Sequence, residues 1–214
     1  MAYHGGRTRA VGTNPFGFAV PNGDGPSIVL DMATSATARG KIIHAARTGG
    51  TIPEGWAVDE DGRPTTDPAA ALAGAVVPFA GPKGSGLAMM VELLCGALLG
   101  GATGTQIGDM YEQWDRPQNV GHMFLALDPA EWAAGGDLAE RVADFGHRVH
   151  GLPAAAGHDQ VLLPGEIEER AMRAARRRGV TLPGPVLDDL RGLAAELGLE
   201  RGLPVVPTDD GSGS

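Results

Sequence analysis

Gly81-Pro-Lys-Gly-Ser-Gly86 leads a lysine through glycines straight into an apolar stretch. If a helix starts there, its first backbone N–H groups, the positive end of its dipole and the Lys83 ammonium would converge on one point and make an anion site. The same cluster also reads as a plain glycine-rich helix start with Lys83 in solvent. Asp31-Met-Ala-Thr-Ser35 stands at a strand end ahead of a helix, where Asp31 or Ser35 would cap the helix and the hydroxyls could bond a ligand. Pro164-Gly-Glu166 sets a carboxylate at another helix start, which the helix dipole favours with or without a function.

Other chemistries lack their residues. No Gly-x-Gly-x-x-Gly run offers a Rossmann turn for a pyrophosphate, and Lys83 precedes its glycines where a phosphate-binding P-loop wants the lysine after them. There is no His-Glu-x-x-His, Cys-x-x-Cys or Gly-x-Ser-x-Gly. The six histidines are scattered, and the close pair His147 and His150 falls on a helix expected to face solvent, so no metal is expected. The basic run Arg170 to Arg178 follows Glu166, Glu168 and Glu169, a charge order that suits a solvated helix and supplies a Glu169–Arg173 pair.

The elements that must position these groups follow from periodicity and turn residues. Phe16–Val20 and Ser27–Leu30 read as two strands joined through Pro21-Asn-Gly-Asp-Gly-Pro26. A helix is expected through Ala36–Ala46, stopped by Gly49-Gly50, and residues 51–68 as an extended connection on the surface around Trp56–Val58. From Gly86 to Leu99 the apolar residues Met90, Leu94 and Leu98 recur every four with Glu92 the only charge, which predicts a helix covered on both sides. Gly121–Asp128 reads as a strand, and Leu138–His150, Glu166–Arg178 and Pro185–Leu197 as helices. The tail Pro204–Ser214 is expected to be disordered, and no internal repeat is visible.

The 214 residues, 43% hydrophobic, suffice for one full domain or two small ones with a real core. The 34 glycines and 16 prolines imply many turns. A net charge of −9 argues against binding phosphate backbones or anionic lipid surfaces, so neither nucleic acid nor membrane is an expected partner. The single cysteine, Cys95, forms no internal disulfide, and the first twenty residues lack the apolar core of a signal peptide; both fit a cytoplasmic protein. The longest apolar stretch, Leu87–Ala102, contains Glu92 and three glycines and is short for a bilayer span.

Taken in order, Gly12-Thr-Asn-Pro15, Asp31-Met-Ala-Thr-Ser35, Ile52-Pro-Glu-Gly-Trp56, Lys83-Gly-Ser-Gly-Leu87 and Pro164-Gly-Glu166 resemble the malate/L-lactate dehydrogenase family that is separate from the Rossmann dehydrogenases. The resemblance extends over most of residues 5–200. It implies an α/β (α+β) fold with a mixed, largely antiparallel, non-Rossmann nucleotide-binding sheet flanked by helices. That sheet domain is expected over residues 1–160, with C-terminal helices over 161–203 that would pack on an N-terminal helical region. It further implies a homodimer that uses NAD or NADP to interconvert a small 2-hydroxy acid and its 2-oxo acid, or to reduce a related imine. Family nucleotide contacts fall on Asp31, Met32, Ala33, Thr34 and Ser35, on Lys83 and Gly84, and on Gly165, Glu166 and Ile167. Thr13 and Asn14 would lie near the substrate cleft, while Trp56 and Asp59 would organise their loop.

The sequence also departs from the family pattern. Members are roughly half as long again and carry, ahead of the Gly-Thr-Asn-Pro run, a Ser-His-Gly segment and a second histidine segment. The second supplies the base for the substrate proton, a task that suits a histidine titrating near neutrality. Here the pattern begins almost at Met1 and no histidine matches that position; His4 falls in a loop. The expected protein is therefore an N-terminally truncated member with its catalytic residue outside the chain. The alternatives are a non-catalytic nucleotide-binding or interaction protein and one half of a split enzyme.

Overall fold

The computed structural model describes residues 1–23, 25–109, 113–131 and 137–199. The expected disorder of residues 204–214 lies outside them. The chain divides into two compact units, Met1–Ile167 and Glu168–Ser214. The architecture is mixed α/β: two small antiparallel sheets and six α-helices among the described residues.

Apolar residues on either side of a turn cluster form the first hairpin, as expected. Strand β1 (Phe16–Asn22) pairs with β2 (Gly25–Met32), Phe16 opposite Met32 and Val20 opposite Ile28. Helix α1 (Arg39–Thr48) starts three residues later than the sequence suggests and ends at Gly49, whose φ of +70° is the left-handed stop a glycine provides. The delay has a cause in backbone pairing. Ser35 bridges Pro78, and the Ala36 N–H donates to Val77 O at 2.8 Å, so the chain stays extended past Met32. Neither Asp31 nor Ser35 caps the helix: the cap position is Ala38, and the Ser35 hydroxyl donates to Thr37 O at 2.8 Å.

Residues 51–68 are less superficial than expected. Ala57–Val58 form β3, which pairs with β4 (Ala75–Val76), and Ile52 and Ala57 are buried. Between the strands lies α2 (Pro68–Ala73), capped by Asp67, which accepts the Ala69 N–H at 2.9 Å. Asp59 does organise its loop, accepting the N–H groups of Asp61 and Arg63, each at 2.9 Å. The core gathers Val11, Ile42, Ile52, Ala57, Ala71, Val76 and Ala88, with Tyr3 and Trp56 packed against it.

Helix α3 (Pro82–Cys95) corrects the expectation of a helix covered on both sides. Its buried stripe is Gly84, Ser85, Ala88 and Glu92, whereas Met89, Met90 and Leu93 are 40–55% exposed. Small side chains let the backbone approach its neighbours, and the large apolar ones are left facing outward. The helix stops at Gly96, and a 3₁₀ turn (Ala97–Leu99) follows. Its 14 residues span roughly 21 Å, short of the ~30 Å hydrocarbon core of a bilayer.

The strand expected at Gly121–Asp128 is not formed: these residues carry no regular structure, and no described residue lies beside them as a partner strand. A strand exists only through the ladder it shares with a neighbour, so a suitable composition alone does not produce one. Helix α4 (Leu138–His150) appears as expected, capped by Asp137. Helices α5 (Glu166–Arg178) and α6 (Gly184–Glu196) also match their expected spans within a residue. On α5 the Glu169–Arg173 pair is made at 2.6 Å.

Candidate functional site

The sequence-predicted residues meet along β2 and its extension. Thr34 donates its N–H to Thr13 O at 2.9 Å, and its carbonyl accepts the Phe79 N–H at 3.1 Å. Phe79 O in turn accepts the Gly84 N–H at 3.1 Å. This relay fixes the first turn of α3, with Lys83 on it, beside the Asp31–Ser35 run. A glycine is required at 84, because a Cβ there would sit 2.3 Å from Phe79 O and 2.9 Å from Phe79 N. At the other end of the run the Val29 N–H donates to Pro164 O at 3.1 Å. Gly165, at φ +92°, lies so close that a Cβ would come within 3.0 Å of Val29 O. From Val29 to Thr34 is about 16 Å of extended chain. One strand thus carries the Pro164-Gly165 turn near one end and the Lys83-Gly84 turn near the other.

The donors differ from those expected. Pro82 has no N–H, and the N–H groups of Lys83, Gly84 and Ser85 go to the carbonyls of Ala80, Phe79 and Gly81. The free backbone donors of the anticipated anion site are therefore already bonded, and what remains for an anion is the exposed Lys83 ammonium with the helix dipole behind it. Glu166 is likewise held: its carboxylate accepts the Leu163 N–H at 2.8 Å and meets His150 Nε2 at 2.9 Å. The Thr34 hydroxyl is the opposite case, fully buried with no hydrogen-bond partner. Asp31 and Ala33 are exposed, as is Ile167.

Thr13 contributes through its backbone and Asn14 through its side chain. Asn14 Nδ2 donates to Ala88 O at 2.9 Å and to Glu92 Oε2 at 3.0 Å. Glu92 also accepts the Gly104 N–H, so one buried carboxylate ties the Gly-Thr-Asn-Pro loop, α3 and the 103–106 turn together. Replacing Asn14 with alanine should leave Glu92 and Ala88 O short of donors and lower stability by about 1–3 kcal/mol, measurable as a fall in the urea midpoint.

Two clefts flank this arrangement. The larger, about 610 Å³, is lined by Tyr3, His4, Arg7, Val58 and Gly81 among others, and none of the expected nucleotide residues lines it. His4 does not stand out by its local pattern, because its neighbours Ser85 and Gly81 are distant in the chain. Its N–H donates to Ser85 Oγ at 3.1 Å, and its ring lies 3.2 Å from where a Cβ at Gly81 would stand. The smaller, about 440 Å³, includes Tyr3 and Glu92. Burial, helped by the Glu92 carboxylate, raises the Tyr3 phenol above its ordinary range. Burial, and then the Arg9 guanidinium, hold the Met1 ammonium below the usual range, although it donates to Val11 O at 2.6 Å. Among the described residues no cluster of three or more His, Cys, Asp or Glu could hold a metal.

Comparison with known proteins assigns this arrangement to a lineage. The chain is 44% identical over 193 residues to a Δ1-pyrroline-2-carboxylate reductase of Ancylobacter novellus, covering 90% of this chain and 55% of that enzyme. It is 41% identical to a (2R)-3-sulfolactate dehydrogenase (NADP(+)) of Chromohalobacter salexigens, covering 91% and 56%. The solved sulfolactate dehydrogenase of Methanocaldococcus jannaschii superposes with a TM-score of 0.80 at 39% identity, over 93% of this chain and 56% of that one. The chain thus spans just over half the length of the relatives it matches. The family profile for malate/L-lactate dehydrogenase matches residues 1–191, and the chain belongs to that family.

Proposed function

We propose that this chain is the NAD(P)-binding and C-terminal portion of an oxidoreductase that interconverts a small 2-hydroxy acid and its 2-oxo acid, or reduces a related cyclic imine. The observation that carries this reading is the convergence of the Asp31–Ser35 run, Lys83-Gly84 and Gly165 on one strand in a chain of this family. The residues fit a dinucleotide. Lys83 offers an exposed cation to a phosphate, Gly165 leaves a wall without a side chain, and Thr34 holds an orphaned hydroxyl. Bound NAD(P) supplies the hydride acceptor or donor. Lys83 would hold the anionic part of the nucleotide, and the Thr34–Phe79–Gly84 relay would keep that lysine in place relative to β2.

The proton is a separate matter. Oxidation of a hydroxy acid needs a base at the hydroxyl oxygen, and the family resemblance gives that role to a histidine in a segment that matches nothing in this chain. The residues here bind and orient, and the base comes from the rest of the enzyme, which we take to be a cytoplasmic homodimer. A second reading, a nucleotide-binding interaction protein or one half of a split enzyme, is favoured by the outward-facing Met89, Met90 and Leu93 of α3. An assay of NADPH oxidation with pyruvate, oxaloacetate and other 2-oxo acids tests the division of labour. The chain alone is expected to show none above background, whereas turnover at ordinary enzyme rates would mean that the base lies within these residues.

A further inference from the structure

We infer that His150 is a positioning residue for the nucleotide site: from the last turn of α4 it holds Glu166, and through Glu166 the Pro164-Gly165 turn against β2. This rests on the reading of that turn as part of an NAD(P) site. His150 Nε2 lies 2.9 Å from Oε1 and 3.1 Å from Oε2 of Glu166, sixteen residues further along the chain. An ionised carboxylate only accepts, so Nε2 carries the hydrogen and donates it. Glu166 Oε2 also accepts the Leu163 N–H at 2.8 Å, which folds the carboxylate back over its own turn.

The same face of α4 makes a second contact with this turn. Gly146 stands one helical turn before His150, and a Cβ there would lie 3.2 Å from Leu163 Cδ1. Gly146 and Leu163 are both buried. A packing contact at Gly146 and a charge-assisted bond at His150 thus match Leu163 and Glu166 on either side of Pro164-Gly165. At its other end α4 begins against the turn of the hairpin, where a Cβ at Gly23 would be 3.7 Å from Ala139 O, and it packs along β1. Helix α4 is therefore a brace from the hairpin to the 163–166 turn.

What the brace sets is the fit of Gly165 on β2. A Cβ at 165 would come within 3.0 Å of Val29 O, and the Val29 N–H donates to Pro164 O at 3.1 Å. Leu163 fixes the chain ahead of this contact. Gly165, at φ +92°, is the most permissive kind of pivot, so the chain beyond it keeps its direction only if the next residue is held. That residue is Glu166. The His150 and Glu166 side chains are 39% and 22% exposed, and a pair so open to solvent adds little to global stability. Its effect is local order at the turn.

The test compares His150→Ala, His150→Gln and His150→Asn in the full chain, by NADPH and NADH titration and by amide exchange without nucleotide. Glutamine carries its amide nitrogen near the place of Nε2 and asparagine near that of Nδ1, so only glutamine can still donate to Glu166. In His150→Ala the Leu163 and Val29 amides should exchange roughly 5- to 10-fold faster at an almost unchanged urea midpoint. Nucleotide affinity should fall roughly 3- to 10-fold. Glutamine should restore most of both and asparagine neither, while His147→Ala, at an exposed position on the same helix, should change neither.

Unchanged exchange in His150→Ala would overturn the clamp, and faster exchange with unchanged affinity would overturn its part in binding. Failure of glutamine to rescue, rescue by asparagine as well, or an equal loss in His147→Ala would overturn the assignment to the Nε2 donor. A parent chain that binds neither nucleotide removes the oxidoreductase reading and this inference with it. A parent that binds, with His150→Ala binding equally well, removes only this inference.

Discussion

Replacing Lys83 with alanine is expected to weaken NADPH and NADH binding by roughly 10- to 100-fold, the worth of one charge-assisted hydrogen bond to a phosphate. The structure sharpens this expectation. Had the N–H groups of the first turn of α3 been free, they would have shared the anion and softened the loss. Instead those of Lys83, Gly84 and Ser85 are bonded to Ala80, Phe79 and Gly81, so the ammonium carries the contact with only the dipole behind it. The side chain is exposed, and the variant should unfold at the same urea concentration as the parent. Unchanged affinity in Lys83→Ala would remove the lysine from the site. Arginine should restore part of the binding, since it keeps the charge with a different shape.

Gly84→Ala should act on the fold and the site together. The added methyl group would meet Phe79 O at 2.3 Å and Phe79 N at 2.9 Å, so a turn of the Phe79 ring, whose Cδ1 also lies 2.9 Å away, would not relieve the clash with backbone. A cost of roughly 2–3 kcal/mol is expected from overpacking of this kind, read as a lower urea midpoint. The bond from Gly84 N–H to Phe79 O should lengthen, and with it the link from α3 to Thr34, so nucleotide affinity should fall even where the protein remains folded. Gly86→Ala is the control. Nothing lies within 4 Å of a Cβ at 86, and alanine inside a helix should leave stability equal or raise it by about 0.5–1 kcal/mol. Equal effects at 84 and 86 would mean that the Phe79 relay does not constrain the site.

The sequence disclosed those parts of the molecule whose determinants are local. The β1–β2 hairpin followed from alternation and a proline-glycine turn, and α4 and α5 from their periodicity and flanking residues. Where tertiary pairing decides, local signals failed. Ala36 has every propensity for a helix, but its N–H is claimed by Val77, forty-one residues away, and α1 starts late. Met90, Leu94 and Leu98 have helical spacing, but spacing says only that they share a face. The face that packs is the one with Gly84 and Ala88, because small residues permit close approach. Residues 121–128 have the composition of a strand and no described neighbour to pair with, a fact that no local pattern can express.

The candidate site divides in the same way. Lys83, Thr34 and Gly165 were visible as unusual residues at element boundaries, and the family resemblance grouped them. Their bonding was not visible: that Glu166 already meets His150, that Asn14 is committed to Ala88 and Glu92, and that His4 lies against Gly81 are all contacts between residues well apart in the chain.

The most direct test of the account is a titration of the purified chain with NADPH and, separately, NADH, following nicotinamide fluorescence. Saturable binding of at least one of them by the chain alone, without any substrate, is expected. A protein shown to be folded by its urea transition that binds neither nucleotide would contradict it, and the interaction-protein reading would take its place.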